Sequence, residues 1–384
     1  MKILQVIPYF TPKKGGDVNV CNNLSRELIK RGHEVTLITT DFGFDEEYVK
    51  DIENEGVEVK TFHCIFSVCN FFVSLGMKKW LKNNINNFDI IHLHDIRTYQ
   101  NILIHNQSKK YDIPYVVHGH GCIPTSTGKK HIKGIFDFFY GKNILRDASK
   151  LIANSKAEVN NAKRTVLKDG QIELVYNGID PMFFNESASS ESFKKRFNIS
   201  NEFILFLGRI DKTKGLDFLV KGFSEFLKDF PNEILLIICG PDGDFRNQLD
   251  RIVKELDIKK NIRFIEGIYN EERLMAYSEA NIFITTSNYE SGVLLTPIEA
   301  ILCNTPVIVT KKIGEIFKNA NMEDFLIDYG DIKGLKEKMK FFIDNNQESK
   351  KMVDITRQYI ISNLTWNKVV TDMERVYEDC IYHL

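Results

Sequence analysis

Short runs of β-branched and apolar residues alternate along this chain with longer amphipathic stretches, and that alternation restricts the fold more than any other feature. Ile3-Leu4-Gln5-Val6-Ile7 reads as a buried strand, and Val18 to Lys30 as a helix with Val20, Leu24 and Leu28 on one face. His33 to Thr40 follows as a strand after the Gly32 helix stop, and Val57–Phe62, Asp89–Leu93, Pro114–His118, Lys150–Ala153 and Ile172–Val175 continue the series. Strands that alternate with helices imply βαβ units, right-handed crossovers and a parallel sheet. The first half therefore reads as a doubly wound, Rossmann-like α/β domain.

A polar, serine-rich stretch from Asn185 to Ser192 interrupts the pattern and reads as a linker. The alternation then restarts with Phe203–Leu207, Leu216–Leu227 as a helix, Ile234–Cys239, Ile262–Ile265, Ile282–Thr285 and Pro306–Val309, and ends in helix from Trp366 to Ile381. Two domains follow, 1–184 and 185–364, consistent with the 384-residue length. Two such sheets facing each other would leave a ligand cleft at the carboxyl ends of their strands, so function is sought in the loops that follow strands.

Composition excludes several classes. Lys and Arg number 51 against 52 Asp and Glu, a balance that argues against a nucleic-acid binder. Residues 1–183 carry 24 basic and 20 acidic side chains, a mild excess that suits an anionic surface without requiring one. The seven cysteines are scattered, with no CxxC pair, which points to reduced core thiols in a cytoplasmic protein. Met1-Lys2 runs directly into a strand with no leader pattern, and the apolar stretch Cys64–Met77, broken by Ser67, Asn70 and Ser74, is too short to span a bilayer.

Chemistry concentrates in three places. Gly15-Gly16 precedes the first helix, where backbone N–H groups can approach a phosphate with the helix dipole assisting; a plain tight turn explains the pair equally well. Neither GxGxxG nor GxxxxGK[ST] is present, which argues against a nicotinamide oxidoreductase and a Walker-type NTPase. In Gly208-Arg209-Ile210-Asp211-Lys212-Thr213-Lys214-Gly215, two cations in a glycine-bounded loop suit a diphosphate, Arg209 as a fork and Lys214 as a point charge. The third place is Tyr289-Glu290-Ser291-Gly292-Val293-Leu294-Leu295-Thr296-Pro297-Ile298-Glu299: two carboxylates able to accept from hydroxyls flank a turn whose N–H groups, those of Gly292, Val293 and Leu294 among them, would face an anion. Thr296-Pro297-Ile298-Glu299 also reads as a capping box with proline at the first helical position.

Taken in order, Gly15-Gly16, the Gly208–Gly215 loop, the Glu290–Glu299 cluster and Cys303-Asn304-Thr305-Pro306-Val307 resemble the family-4 retaining glycosyltransferases, as do Asn154-Ser155 and Asn177-Gly178-Ile179-Asp180. The resemblance implies two facing Rossmann-like domains of the GT-B type, with the donor held mainly by the second and the helix 365–384 crossing back to the first. Carried over by motif, Arg209 and Lys214 would neutralise the diphosphate of a nucleotide sugar and Gly16 would offer it an N–H. Glu290 would contact the transferred sugar, and Glu299 the ribose. Eight residues separate Glu290 from Glu299 where the family has seven, so either the loop bulges or Ser291 takes the first glutamate's place.

His118-Gly119-His120-Gly121 ends a strand, and the family carries a His-Gly there with the histidine facing the sugar; His120 is the choice, His118 the runner-up, and His92 and His94 read as structural. The implied activity is transfer of a hexose from a nucleoside-diphosphate sugar, UDP-linked by preference with GDP-linked as the alternative, to a hydroxyl of a glycan or lipid-linked acceptor. It needs no metal and no further cofactor, since no carboxylate-rich metal cluster appears. Lys129-Lys130-His131-Ile132-Lys133 before Ile135-Phe136-Asp137-Phe138-Phe139-Tyr140 places cations beside aromatics, which suits a peripheral contact with the inner membrane face. The rivals are an epimerase of the same fold and a non-catalytic nucleotide-sugar-binding subunit.

Overall fold

The structure, a computed structural model, describes residues 1–12, 15–68, 71–123, 130–168, 170–181, 184, 192–230, 234–268, 270–289 and 293–382. Its contacts divide the chain into two units: Met1–Ile179 with Trp366–Leu384, and Asp180–Thr365. The division thus falls a few residues ahead of the serine-rich stretch, against the 184/185 boundary read from composition; residues 185–191 of that stretch lie outside the described residues.

In unit 1 the strands are β1 Lys2–Tyr9, β2 Glu34–Thr40, β3 Glu58–Phe62, β4 Phe66–Val68, β5 Phe71–Val73, β6 Ile90–His94, β7 Tyr115–His118, β8 Lys150–Ala153 and β9 Ile172–Leu174. Seven of them form a parallel sheet in the order β3-β2-β1-β6-β7-β8-β9. Ile3 pairs with Val35 on one side and Ile90 on the other, so β1 is central and its Ile3, Leu4, Val6 and Ile7 are fully buried, as a continuous apolar run in a sheet covered on both faces requires. Chain order reverses between β1 and β6. The crevice beyond their carboxyl ends is where an open α/β sheet binds ligands.

The helix Trp366–Tyr382 belongs to this unit. Val369, Val370, Met373, Tyr377 and Cys380 join the core beside Val18, Leu24 and Leu28 of the helix Gly16–Lys30. The Trp366 N–H donates to the Ile179 carbonyl at 3.2 Å, and a Cβ on Gly178 would lie 2.3 Å from the Trp366 ring. Asn177-Gly178 is thus architectural: glycine is needed so that the indole can lie on the backbone.

Part of the apolar stretch Cys64–Met77 is a hairpin, with β4 and β5 antiparallel and Phe66 opposite Val73, followed by the helix Leu75–Asn84 capped by Ser74. The cysteines depart from the sequence reading in not being uniformly core thiols: Cys21, Cys239, Cys303 and Cys380 are buried, whereas Cys64 is half-buried and Cys122 exposed.

Unit 2 contains β10 Glu202–Leu207, β11 Ile234–Cys239, β12 Ile262–Ile265, β13 Ile282–Thr285, β14 Val307–Thr310 and β15 Leu326–Ile327. They form a second parallel sheet in the order β12-β11-β10-β13-β14-β15, with the reversal between β10 and β13. Phe203, Phe206, Phe223, Phe226 and Phe283 fill its core. No helix among the described residues is long and apolar enough to cross a membrane.

Candidate functional site

The two switch points are furnished differently. In unit 2, Arg209 and Lys214 lie in the loop that leaves β10. Ser287 Oγ donates to the Thr213 carbonyl at 3.0 Å, and Thr286 Oγ1 donates to the carbonyls of Lys214 and Gly215 at 3.1 and 3.0 Å. The loop is thereby tied to the end of β13, across the reversal. Asp211 holds its tip by accepting from the Thr213 N–H at 2.9 Å and hydroxyl at 2.6 Å. Gly215 has φ +65°, and a Cβ there would sit 2.2 Å from the Thr286 carbonyl oxygen, so only glycine permits this close approach. Gly243 lies under the Arg209 stem, where a Cβ would come within 2.8 Å of Arg209 Cγ.

Two cations are therefore held in one pinned loop. Neither Arg209 nor Lys214 forms an ion pair with a described residue. Burial, and then the neighbouring Arg209 charge, lowers the Lys214 pKa, with Asp211 opposing. Asp211 in the same loop partly balances the two cations without ion-pairing to either, which leaves a net positive pocket for an anion, and an incoming diphosphate relieves both the repulsion and the desolvation.

Glu299 lies in the helix Leu295–Leu302 and is 7% exposed. Its Oε2 accepts from the Tyr277 hydroxyl at 3.0 Å, and its Oε1 faces Arg273 Nη1 at 3.3 Å. Burial raises its pKa, with Arg273 and Tyr277 opposing. The capping box read into Thr296–Glu299 does not form. The helix begins at Leu295 with Leu294 as an unassisted cap, which makes Pro297 its third residue and carries Glu299 past the position that reaches back to a cap. Val293 and Leu294 are half-buried just ahead of this helix. Glu290, Ser291 and Gly292 lie outside the described residues.

The unit 1 switch point is built from titratable groups. Gly15, at φ +111°, is the N-cap of the helix Gly16–Lys30, and a Cβ on Gly16 would meet nothing within 4 Å. Asp17 follows in the first turn and accepts from the Tyr9 hydroxyl at 2.7 Å. Asp95, just beyond β6 at φ +70°, shares a hydrogen bond with Asp17; burial and the adjacent Asp17 charge push its carboxyl well above the usual range.

Beside this pair stand four histidines. His92 and His94 come from β6 and His118 from the end of β7, all three buried, while His120 is half-buried two residues on. Their rings stack: His92 on His94 at 4.3 Å between centroids, and His118 on His120 at 3.9 Å. Nitrogens of His92, His94 and His118 approach within 4.8 Å of one another. A metal, however, lies in the plane of each imidazole that ligates it. The His92 and His94 planes are stacked 5° from parallel, so their lone pairs do not converge on one ion. The arrangement is a column rather than a cage. Burial holds all four imidazoles neutral, His120 at a pKa of about 4 and the other three well below the usual range.

Glu158 fixes the His120 backbone. It accepts from the Gly121 N–H at 2.8 Å and, through its other oxygen, from the Asn154 N–H at 2.9 Å. That grip holds His120 at φ +46°, an uncommon conformation for a residue with a side chain, in the loop where strain tends to mark function. Sequence reasoning did not identify Glu158, Asp17, Asp95, Gln5, Thr286 or Ser287. Asp95 and Asp17 each directly follow a singled-out motif and were open to notice, whereas Gln5 sits inside an apolar strand with no local sign of its role.

Residues 14–183 match the family model described as Glycosyltransferase Family 4, and residues 188–359 the model described as Glycosyl transferases group 1. The chain belongs to this glycosyltransferase family. It is 24% identical over 381 residues to N-acetyl-alpha-D-glucosaminyl L-malate synthase of Bacillus anthracis, spanning 96% of this chain and 95% of that one. Over 147 residues it is 33% identical to alpha-monoglucosyldiacylglycerol synthase of Acholeplasma laidlawii, spanning 37% of this chain and 36% of the relative. Among solved structures, Anabaena HepE in complex with UDP and glucose aligns at a TM-score of 0.75 and 16% identity, spanning 99% of this chain and 100% of that one. At that identity the likeness is one of fold, and the fold is GT-B.

Proposed function

We propose that this glycosyltransferase moves a hexose-type sugar from a UDP-sugar to a hydroxyl acceptor, with retention at the anomeric carbon and without a metal or further cofactor. The observation that carries this reading is the pinned Arg209–Lys214 loop, two cations that form no ion pair with a described residue and outnumber the single neighbouring carboxylate, Asp211. Charge on the departing nucleoside diphosphate is what such a reaction must stabilise. UDP is preferred to GDP because HepE was solved with UDP. In this reading Val293 and Leu294 offer backbone N–H groups beside the diphosphate, with Gly292 before them. Glu299 accepts from the ribose and Glu290 from the sugar, His120 contacts a substrate hydroxyl, and Gly15-Gly16 give backbone access to phosphate.

For the acceptor, we favour a lipid-linked or glycan hydroxyl reached from a membrane surface. Ile132, Ile135, Phe138 and Phe139 are all exposed, Phe138 at 72%, along a helical run that starts at Lys130 and passes through a widened turn, Asp137–Gly141. Exposed Lys142 flanks this run. Apolar side chains bordered by cations suit an anionic bilayer.

The test is thermal unfolding and calorimetry against UDP, GDP, ADP and their sugar conjugates, followed by NMR of the anomeric proton in any product. A UDP-specific stabilisation lost in Arg209→Ala and Lys214→Ala is the expected result. No response to any nucleotide, in folded protein, overturns the donor reading. An inverted product overturns retention. For the membrane contact, vesicles containing anionic phosphatidylglycerol should sediment the wild type and release a Phe138→Ser/Phe139→Ser variant.

A further inference from the structure

The His120 ring is oriented by hydrogen bonds that end in the middle of the sheet. His120 Nε2 lies 3.0 Å from His94 Nδ1, and His94 Nε2 lies 2.8 Å from Gln5 Oε1. Gln5 is fully buried in β1 and His94 is 1% exposed, so neither exchanges these partners for water. An amide oxygen can only accept, so His94 carries its proton on Nε2 and presents a bare Nδ1. A bare Nδ1 can only accept in turn, so His120 carries its proton on Nε2. The free lone pair of His120 is then on Nδ1. Ring stacking on His118 and the Glu158 grip on the neighbouring backbone leave the imidazole little freedom to turn over.

We propose that Gln5 and His94 are positioning residues that lock His120 as its Nε2–H tautomer, so that His120 meets a substrate hydroxyl as a hydrogen-bond acceptor through Nδ1. The proposal rests on the reading that His120 contacts a substrate hydroxyl, and adds the direction of that bond. The opposite tautomer would present an N–H and favour a carbonyl or ether oxygen instead. The specificity of this position is thus set by an amide in the sheet core, which no substrate touches.

The experiment is nitrogen-15 NMR of the full chain labelled at histidine, with His120→Gln used to assign the signals. At neutral pH the wild type should show His120 as a single neutral tautomer, protonated at Nε2. Gln5→Leu removes the acceptor that orders His94, and His94→Phe keeps a stacked ring but removes the partner of His120. Each should turn the single His120 tautomer into a mixture. Saturating UDP-glucose should shift Nδ1 and leave Nε2 in place, with occupancy checked by calorimetry. A wild-type His120 protonated at Nδ1, or a pure Nε2–H form in both variants, overturns the lock. Bound UDP-glucose with an unmoved Nδ1 overturns the hydroxyl contact. Failure of the wild type to bind UDP or UDP-glucose would remove the donor reading, and with it the contact, while the tautomer measurements still decide the lock.

Discussion

The two units solve the same folding problem with the same sheet and then diverge at the same place. Each reverses strand order beside its central strand, β1 in one and β10 in the other, and each presents a glycine-containing loop at that reversal. Unit 2 equips the position with permanent charge, Arg209 and Lys214. Unit 1 equips it with groups that burial pushes toward their neutral forms, His92, His94, His118, His120 and Asp95. Fixed cations suit an anion that must be held through the reaction, whereas neutral imidazoles suit hydroxyls. The fold supplies the crevice, and the side chains that end the strands decide its ligand.

Acid should break the comparison most forcefully. A histidine whose folded pKa lies below its unfolded value contributes stability that is present above the unfolded pKa near 6.5 and is lost as pH falls. For His120, at about 4 in the folded chain, the loss by pH 5 is about 2 kcal/mol, and the three more deeply buried imidazoles act in the same direction. Asp95 opposes them, because a raised carboxyl keeps its proton in the folded state and favours that state as pH falls, but it is one group against four. Hydrogen exchange at pH 7 and pH 5, corrected for intrinsic rates, should show unit 1 losing protection while unit 2 keeps it. Equal loss in both would mean the histidine column is not the acid-sensitive element.

Removing the cations comes next. Each charge-assisted contact is worth about 1.5–3 kcal/mol, so Arg209→Ala and Lys214→Ala should each weaken UDP roughly 10- to 100-fold by calorimetry. His120→Ala should leave UDP affinity within about twofold, since its expected partner is a hydroxyl. A comparable loss in His120→Ala would erase the division of labour.

The loop glycines separate architecture from function. Gly215→Ala forces a Cβ to within 2.2 Å of the Thr286 carbonyl at φ +65°, and should cost roughly 2–4 kcal/mol in urea unfolding. Gly16→Ala meets open space and should change stability by less than about 0.5 kcal/mol. Any effect of Gly16→Ala on donor binding would then report the approach of a ligand.

These contrasts also explain what the sequence disclosed. The strands were legible because a sheet covered on both faces demands apolar runs, and Ile3–Ile7 or Ile234–Cys239 has little else to become. Arg209 and Lys214 were legible because a loop between a strand and a helix is short enough for its charges to share one neighbourhood. The histidine column was not: His92 and His94 read as structural, and nothing local says that Gln5, 89 positions from His94, would accept a hydrogen bond from its ring. Register across β1 and β6 made that pairing, placing Gln5 opposite His92. The capping box failed for a related reason. Thr296–Glu299 has the right spacing, but the helix starts at Leu295, and spacing fixes a cap only where the start of the helix is known.

Glu299 offers the smallest and most discriminating effect. Its carboxylate is the unit 2 counterpart of Asp95, buried likewise, yet it faces Arg273 rather than another acid. Glu299→Gln keeps an oxygen for the Tyr277 hydroxyl but turns an amide toward the guanidinium, and should cost about 1 kcal/mol at pH 7. Burial raises the folded pKa of Glu299, so the stability it contributes is fullest at low pH and declines as pH rises through that value. The deficit of Glu299→Gln should accordingly shrink between pH 5 and pH 8 in urea unfolding. Binding then separates structure from recognition: pyrophosphate carries the charges that Arg209 and Lys214 would meet but has no ribose. If Glu299 accepts from the ribose, the substitution weakens UDP about fivefold and leaves pyrophosphate unchanged. If Glu299 only braces Tyr277 and Arg273, the two ligands weaken together or not at all.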